Sequence, residues 1–171
     1  LVGSQAGTEL TTGNHNTMLG YRAGYVQTTS SYNTLLGNIA GTSITTGGNN
    51  TGVGHEAFRF LTTGNTNTAV GLSAMVSSTT AYENTALGYR ALRNCTTGAG
   101  NIAIGIGAGI NVSSGGSNIA IGYSAMGSAT VTGGGNIALG DAAGYALTSG
   151  ANNVLIGKNA GRNTSGTDSL G

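Results

Sequence analysis

Proline and tryptophan are absent from this chain of 171 residues, and only 6% of its residues are charged. Aromatics make up 5%, and a single cysteine, Cys95, is present. Each shortage excludes something. Chains of this length ordinarily fold as one domain around one core, but too few bulky side chains remain here for a conventional globule. A collagen-like helix fails for want of proline and of a Gly-X-Y period. Disordered chains combine low hydrophobicity with high net charge, whereas this one is 38% hydrophobic with a formal net charge of +1. That near-neutrality gives no electrostatic case for nucleic acid or an anionic membrane surface. No apolar run approaches the length of a membrane span, so membrane insertion is not expected. One cysteine cannot close an internal disulfide, and the redox compartment is not legible from it.

What the chain does have is glycine, 33 residues of it, set in a recurring frame Asn-x-x-(Leu/Ile/Val)-Gly-x-x-Ala. The Asn copies are Asn16, Asn33, Asn50, Asn67, Asn84, Asn101, Asn118, Asn136 and Asn153, spaced by 17 residues with a single step of 18. A fixed short period means one structural unit stacked repeatedly. With the Asn as position 0, position 3 is always a branched aliphatic, from Leu19 to Ile156, and position 1 is Thr in five copies, then Ile102, Ile119, Ile137 and Val154. Their alternation predicts a short strand with this face turned into the coil. Position 4 is always Gly, as a positive-φ corner or a close backbone approach demands. Position 7 is always Ala, as a tight bend with room for one methyl would require. Position 11 (Ile44, Leu61, Cys95, Val112, Leu147) reads as a second inward slot, and position 12 is Thr or Ser throughout, from Thr28 to Ser165. The 18-residue step places its insertion in Val131-Thr132-Gly133-Gly134-Gly135, where a loop tolerates it.

Charge placement checks this frame. All eleven charged residues, from Glu9 to Asp168, occupy positions 5, 6, 9, 10, 15 or 16. Unpaired charge is almost never buried, so these positions form the wet surface. Position 2 is apolar (Met18, Leu35, Ala69, Ala86, Leu155 and others) where an exposed face would be polar, and position 8 carries Phe58, Met75, Leu92 and Met126. A strand apolar on both faces is buried on both. Position 2 is therefore expected on the outside of the coil, covered by a second copy of the chain, with dimer and trimer both open. The expected fold is an all-β parallel β-solenoid of about ten coils, roughly 48 Å long at one strand spacing per coil, with residues 1–171 as a single array. The first residues (Leu1-Val2-Gly3) already match the frame and the last (Ser169-Leu170-Gly171) abbreviate it, as expected of a segment of a longer fibre.

Asn67-Thr-Ala-Val-Gly71, Asn84-Thr-Ala-Leu-Gly88 and Asn101-Ile-Ala-Ile-Gly105 resemble the Asn-Ser-Val-Ala-Ile-Gly repeat of trimeric autotransporter adhesin heads. The longer frame, Asn-Thr-Ala-Leu-Gly-x-x-Ala followed by Thr-Thr-Gly, is similar to shaft repeats of phage tail fibres and related bacterial surface fibres. The resemblance covers essentially the whole chain. It implies a left-handed parallel β-roll, a homotrimer and an extracellular setting on a virion tail fibre or cell-surface appendage. The implied role is a shaft segment that positions an adhesive tip. Two alternatives are an adhesin head that binds a host-surface glycan or protein receptor directly, and a monomeric ice-binding solenoid.

The remaining motifs favour structure over chemistry. The Asn column predicts side-chain amides bonded from coil to coil. Repeated calcium sites would need an acidic Gly-Gly-x-Gly-x-Asp frame, and the two aspartates, Asp141 and Asp168, sit at unlike positions. Flat ice-binding arrays need two outward Thr around an inward residue, but here they are adjacent (Thr28-Thr29, Thr62-Thr63), which turns one of each pair inward. His15 and His55 occupy different wet positions and read as exposed and unliganded, and Cys95 as a buried thiol. The five carboxylates are scattered, so no catalytic residues, metal ligands or cofactors are expected, and no enzyme activity. Gly105-Ile-Gly-Ala-Gly109 mimics a phosphate loop but lacks its Lys and its helix. All seven tyrosines occupy wet positions. Tyr89, Arg90, Arg93 and Tyr123 are the candidate receptor contacts, because exposed aromatic rings beside arginines can stack on a sugar. Sequons lie at Asn49, Asn94, Asn111 and Asn163.

Overall fold

A computed structural model describes residues 1–163. Among them nine three-residue strands follow in order: β1 (Thr17–Leu19), β2 (Thr34–Leu36), β3 (Thr51–Val53), β4 (Thr68–Val70), β5 (Thr85–Leu87), β6 (Ile102–Ile104), β7 (Ile119–Ile121), β8 (Ile137–Leu139) and β9 (Val154–Ile156). They form one parallel sheet in chain order, β1 to β9. Equivalent frame positions lie opposite each other, from Met18 against Leu35 in the first pair to Ala138 against Leu155 in the last. Each coil therefore contributes one strand to a parallel β-solenoid. Val2 bridges Leu19, so part of a further copy stacks before β1. The sequence count of about ten coils included partial copies at both ends. The last of these, with Ser165, Asp168, Ser169, Leu170, Gly171 and the rest of the Asn163 sequon, lies outside the described residues. No helix among the described residues is long and apolar enough to cross a membrane.

Glycine at position 4 answers to two demands at once. Gly88 has φ +136, and a Cβ there would lie 2.5 Å from the Gly105 carbonyl oxygen of the next coil. The same corner recurs from Gly20 to Gly157. The coil then bends through alternating left-handed residues, Arg90 (φ 58) and Leu92 (φ 48), and enters the next strand through Gly100 (φ 66). A non-glycine residue in that conformation costs roughly 1–2 kcal/mol. The cost is offset by bonds between coils: the Arg90 N–H donates to the Leu72 carbonyl and the Leu92 N–H to the Ala108 carbonyl, both at 3.0 Å.

The strands face the opposite way from the sequence expectation. Position 2 is the interior: Leu35, Ala69, Ala86, Ala103 and Ala138 are fully buried inside the coil, and Leu155 nearly so. Positions 1 and 3 lie on the outside of the sheet, half-buried or exposed. Alternation shows which residues share a face, and volume decides which face turns inward. The coil is narrow, and Ala or Gly at position 2 leaves room for one large side chain from position 8. Position 8 therefore projects into the core, where Phe58, Met75, Leu92 and Met126 are at most 1% exposed.

The two slots trade volume. Phe58 fills the coil in which position 2 is Gly52, and a Cβ on Gly52 would meet its ring at 2.8 Å. In the preceding coil Leu35 fills the space and position 8 is Gly41, whose added Cβ would lie 2.7 Å from Leu35. Position 11 is the second inward slot, as expected: Ile44, Leu61, Cys95, Val112 and Leu147 are at most 1% exposed. Ala at position 7 is buried from Ala23 to Ala143. Every charged residue among those described, from Glu9 to Arg162, keeps at least partial solvent contact.

Candidate functional site

The polar ladders are structural. The Asn101 backbone N–H and its Nδ2 both donate to Asn84 Oδ1, at 2.9 and 3.0 Å, and Nδ2 also donates to the Gly115 carbonyl at 2.9 Å. The pattern of amide bonded to amide extends from Asn16 to Asn153, which leaves these buried side chains committed to one another. At position 12, the Thr45, Thr62 and Thr79 hydroxyls donate to the carbonyl of the equivalent residue in the next coil. They are half-buried over the backbone and do not enter the core. The neighbouring position 13 Thr, such as Thr46 and Thr63, is exposed.

Among the described residues, His, Cys, Asp and Glu side chains do not gather in threes that could hold a metal ion. His15 stacks on Tyr32 of the next coil, with ring centroids 4.9 Å apart. Cys95 Sγ donates to the Gly98 carbonyl at 3.6 Å, and burial pushes the thiol up to about 12. Asn94 and Asn111, two of the sequon residues, are bonded to each other, Asn94 Nδ2 donating to Asn111 Oδ1 at 2.8 Å.

Two surfaces remain that could recognise something. The first is the outer face of the sheet. Its position 3 column includes Leu19 (50% exposed), Val70, Ile104 and Ile121 (each 37%) and Ile156 (61%). No charged residue stands at position 1 or 3 in any coil. At position 5, beside the sheet, Leu72, Tyr89 and Ile106 add exposed apolar bulk in successive coils.

The second surface lies farther along the same flank. The sequence candidates divide between two places. The Arg90 guanidinium sits 4.8 Å over the Tyr89 ring, and Arg93 Nη1 donates to Asn94 Oδ1 at 3.2 Å, so these residues share one turn. Tyr123 stands two coils on, with Ile106 between it and Tyr89 in the position 5 column. It borders a groove of about 430 Å³ that also takes in Asp141, Tyr145, Lys158 and Arg162. The groove's lining comes from position 5 (Tyr123, Asp141, Lys158), position 6 (Ser124, Ala142, Asn159) and position 9 (Tyr145, Arg162) of three successive coils. Sequence reading missed this grouping. Its only signal was that Tyr145 and Arg162 share one wet position while Asp141 and Lys158 share another.

Inside the groove Lys158 Nζ lies 3.7 Å from Asp141 Oδ2. Arg162 lies over the Tyr145 ring at 5.5 Å and donates from Nη1 to Asn159 Oδ1 at 3.2 Å. Both features suit recognition by stacking, hydrogen bonding and charge; neither contains a nucleophile with an activating base. Comparison of the chain with protein-family models, with curated proteins and with solved structures finds no match.

Proposed function

We propose that this solenoid is a shaft segment of an extracellular fibre, assembled as a parallel homotrimer, that holds an adhesive tip away from a virion or cell surface. Its role on this reading is mechanical, with no catalysis. The observation that carries it is the outer sheet face. Parallel sheets are normally covered on both sides, yet here position 3 presents an apolar column along all nine described strands, and position 1 beside it is uncharged, Thr in β1 to β5 and Ile or Val in β6 to β9. At one strand spacing per coil these columns run for roughly 38 Å. An apolar stripe that long marks an interaction surface in a soluble protein.

A second copy of the same chain is a natural cover, because its columns repeat with the same period and stay in register over any length. The shaft would lengthen by adding coils, each of which contacts only its neighbours. Native mass spectrometry with sedimentation equilibrium tests the reading. Three copies are expected at micromolar concentration, and Ile104→Lys with Ile121→Lys should release single chains of unchanged circular dichroism. A wild-type chain that stays single would overturn the proposal, and a pair would overturn its threefold form.

A further inference from the structure

We propose that the groove between Tyr123 and Arg162 is a binding site for an acidic saccharide, a sugar chain that carries a carboxylate. It is independent of how many chains assemble. The position 5 column changes character where the groove begins. Leu72, Tyr89 and Ile106 are apolar and exposed, whereas the next members are Tyr123, Asp141 and Lys158. Before Leu72 the column holds Tyr21, Asn38 and His55, so carboxylate and ammonium side chains enter it only at Asp141 and Lys158, both of which line the groove. From position 9, Gly127 contributes no side chain, and Tyr145 and Arg162 of the following two coils line the groove.

Each part of the groove matches one feature of such a ligand. Tyr123, 60% exposed, offers a flat apolar ring with a polar tip, the surface on which the C–H face of a pyranose stacks. The Arg162 guanidinium is held from below by the Tyr145 ring and from the side by Asn159 Oδ1. Its rotamer is thereby set in advance, and its remaining N–H groups can meet a carboxylate as a fork. Asp141, with its charge partly balanced by Lys158 at 3.7 Å, supplies an acceptor for sugar hydroxyls. Two cations against one carboxylate leave the groove at +1, which favours an anionic chain over a neutral one. The lining residues Ser124 and Ala142 are small, so a ligand can lie along the axis across two coil spacings, roughly 9.5 Å. A volume of about 430 Å³ falls within the range of small-ligand sites.

The test is titration of the full chain, followed by NMR, with tetragalacturonate, sialyllactose, neutral maltotetraose and sodium sulfate. Either acidic saccharide is expected to shift the Tyr123 and Tyr145 ring signals and the Arg162 Nε–H, with maltotetraose at least tenfold weaker. Tyr123→Ala and Arg162→Met should each weaken binding tenfold or more. All the altered side chains are at the surface, so the circular dichroism should not move, and Tyr25→Ala, on another coil, should bind as wild type. No shift with either acidic saccharide overturns the proposal. Equal shifts with sulfate, equal binding of maltotetraose, or binding unchanged in both groove variants would do the same.

Discussion

Asn84 Oδ1 accepts two hydrogen bonds from one residue of the next coil, the backbone N–H and the Nδ2 of Asn101. Asn84 Nδ2 donates back to Asn67 Oδ1 of the preceding coil at 3.1 Å and forward to the Gly98 carbonyl at 2.9 Å. One amide thus ties together three coils at a corner where the backbone leaves a left-handed residue and enters a strand. All of these groups are buried, and none can turn to water when a partner is lost.

Replacement of this amide should therefore be costly. Asn84→Ala strands the Asn101 N–H, at about 1–3 kcal/mol, and leaves the Gly98 carbonyl only the weak Cys95 thiol donor. A loss of roughly 2–3 kcal/mol is expected in urea unfolding, read as a lower midpoint at unchanged slope. Asn16→Ala should cost less, because Asn16 is only half-buried. Equal effects at the two sites would mean that the ladder stabilises by something other than burial.

Two positive-φ corners with different backbones, Gly88 at φ +136 and Glu83 at φ 57, should respond differently to substitution. At Gly88 an added methyl collides with the Gly105 carbonyl at 2.5 Å, and the atoms it meets are backbone, which has little room to yield. Gly88→Ala should prevent stable folding or cost several kcal/mol, since strain at φ +136 adds to the overlap. At the exposed Glu83, φ 57, glycine relieves a strain of about 1–2 kcal/mol and loosens the unfolded chain by a similar amount. Glu83→Gly should unfold within about 1 kcal/mol of wild type. Thermal melts of the two variants decide the matter.

The volume trade between positions 2 and 8 can be tested by exchange. Phe58→Gly empties a fully buried site, and loss of a buried aromatic costs about 3–5 kcal/mol. Gly52→Leu alone overpacks against Phe58, whose ring already lies 2.8 Å from an added Cβ. The double variant copies the Leu35–Gly41 arrangement one coil earlier and should recover most of the loss. A cycle in which the two changes simply add would show that the slots do not share space.

Much of this architecture was legible from the chain. The period, the Gly88 corner, the Asn84 ladder and the inward Cys95 slot follow from spacing, because a stack places equal positions above one another. The side of the sheet that faces inward was not legible. Alternation groups Thr85 with Leu87 and sets Ala86 apart, but it carries no sign, and the larger residues were wrongly assigned to the core. A narrow coil reverses that preference, since Leu92 arrives from the other wall and leaves room only for Ala86. The groove escaped for a different reason. Tyr145 and Arg162 belong to one column and Asp141 and Lys158 to another, and only the bend between positions 5 and 9 brings both columns to one groove.

The thiol of Cys95 should make stability fall at high pH. Burial raises its pKa from 9.0 to about 12, because the thiolate would lose its hydration inside the coil. Below pH 9 both folded and unfolded chains hold the proton, and the group contributes no pH dependence. Between about 9 and 12 the folded chain keeps a proton that the unfolded chain releases, so stability declines by about 1.4 kcal/mol per pH unit. Cys95→Val keeps the slot apolar and should lack this component when wild type and variant are compared in urea at pH 8, 9.5 and 10.5. The native thiol should also resist iodoacetamide at pH 8 until urea opens the coil, since the thiolate is the attacking species. Rapid alkylation of the folded chain, or parallel pH profiles for the two proteins, would place Cys95 outside the core.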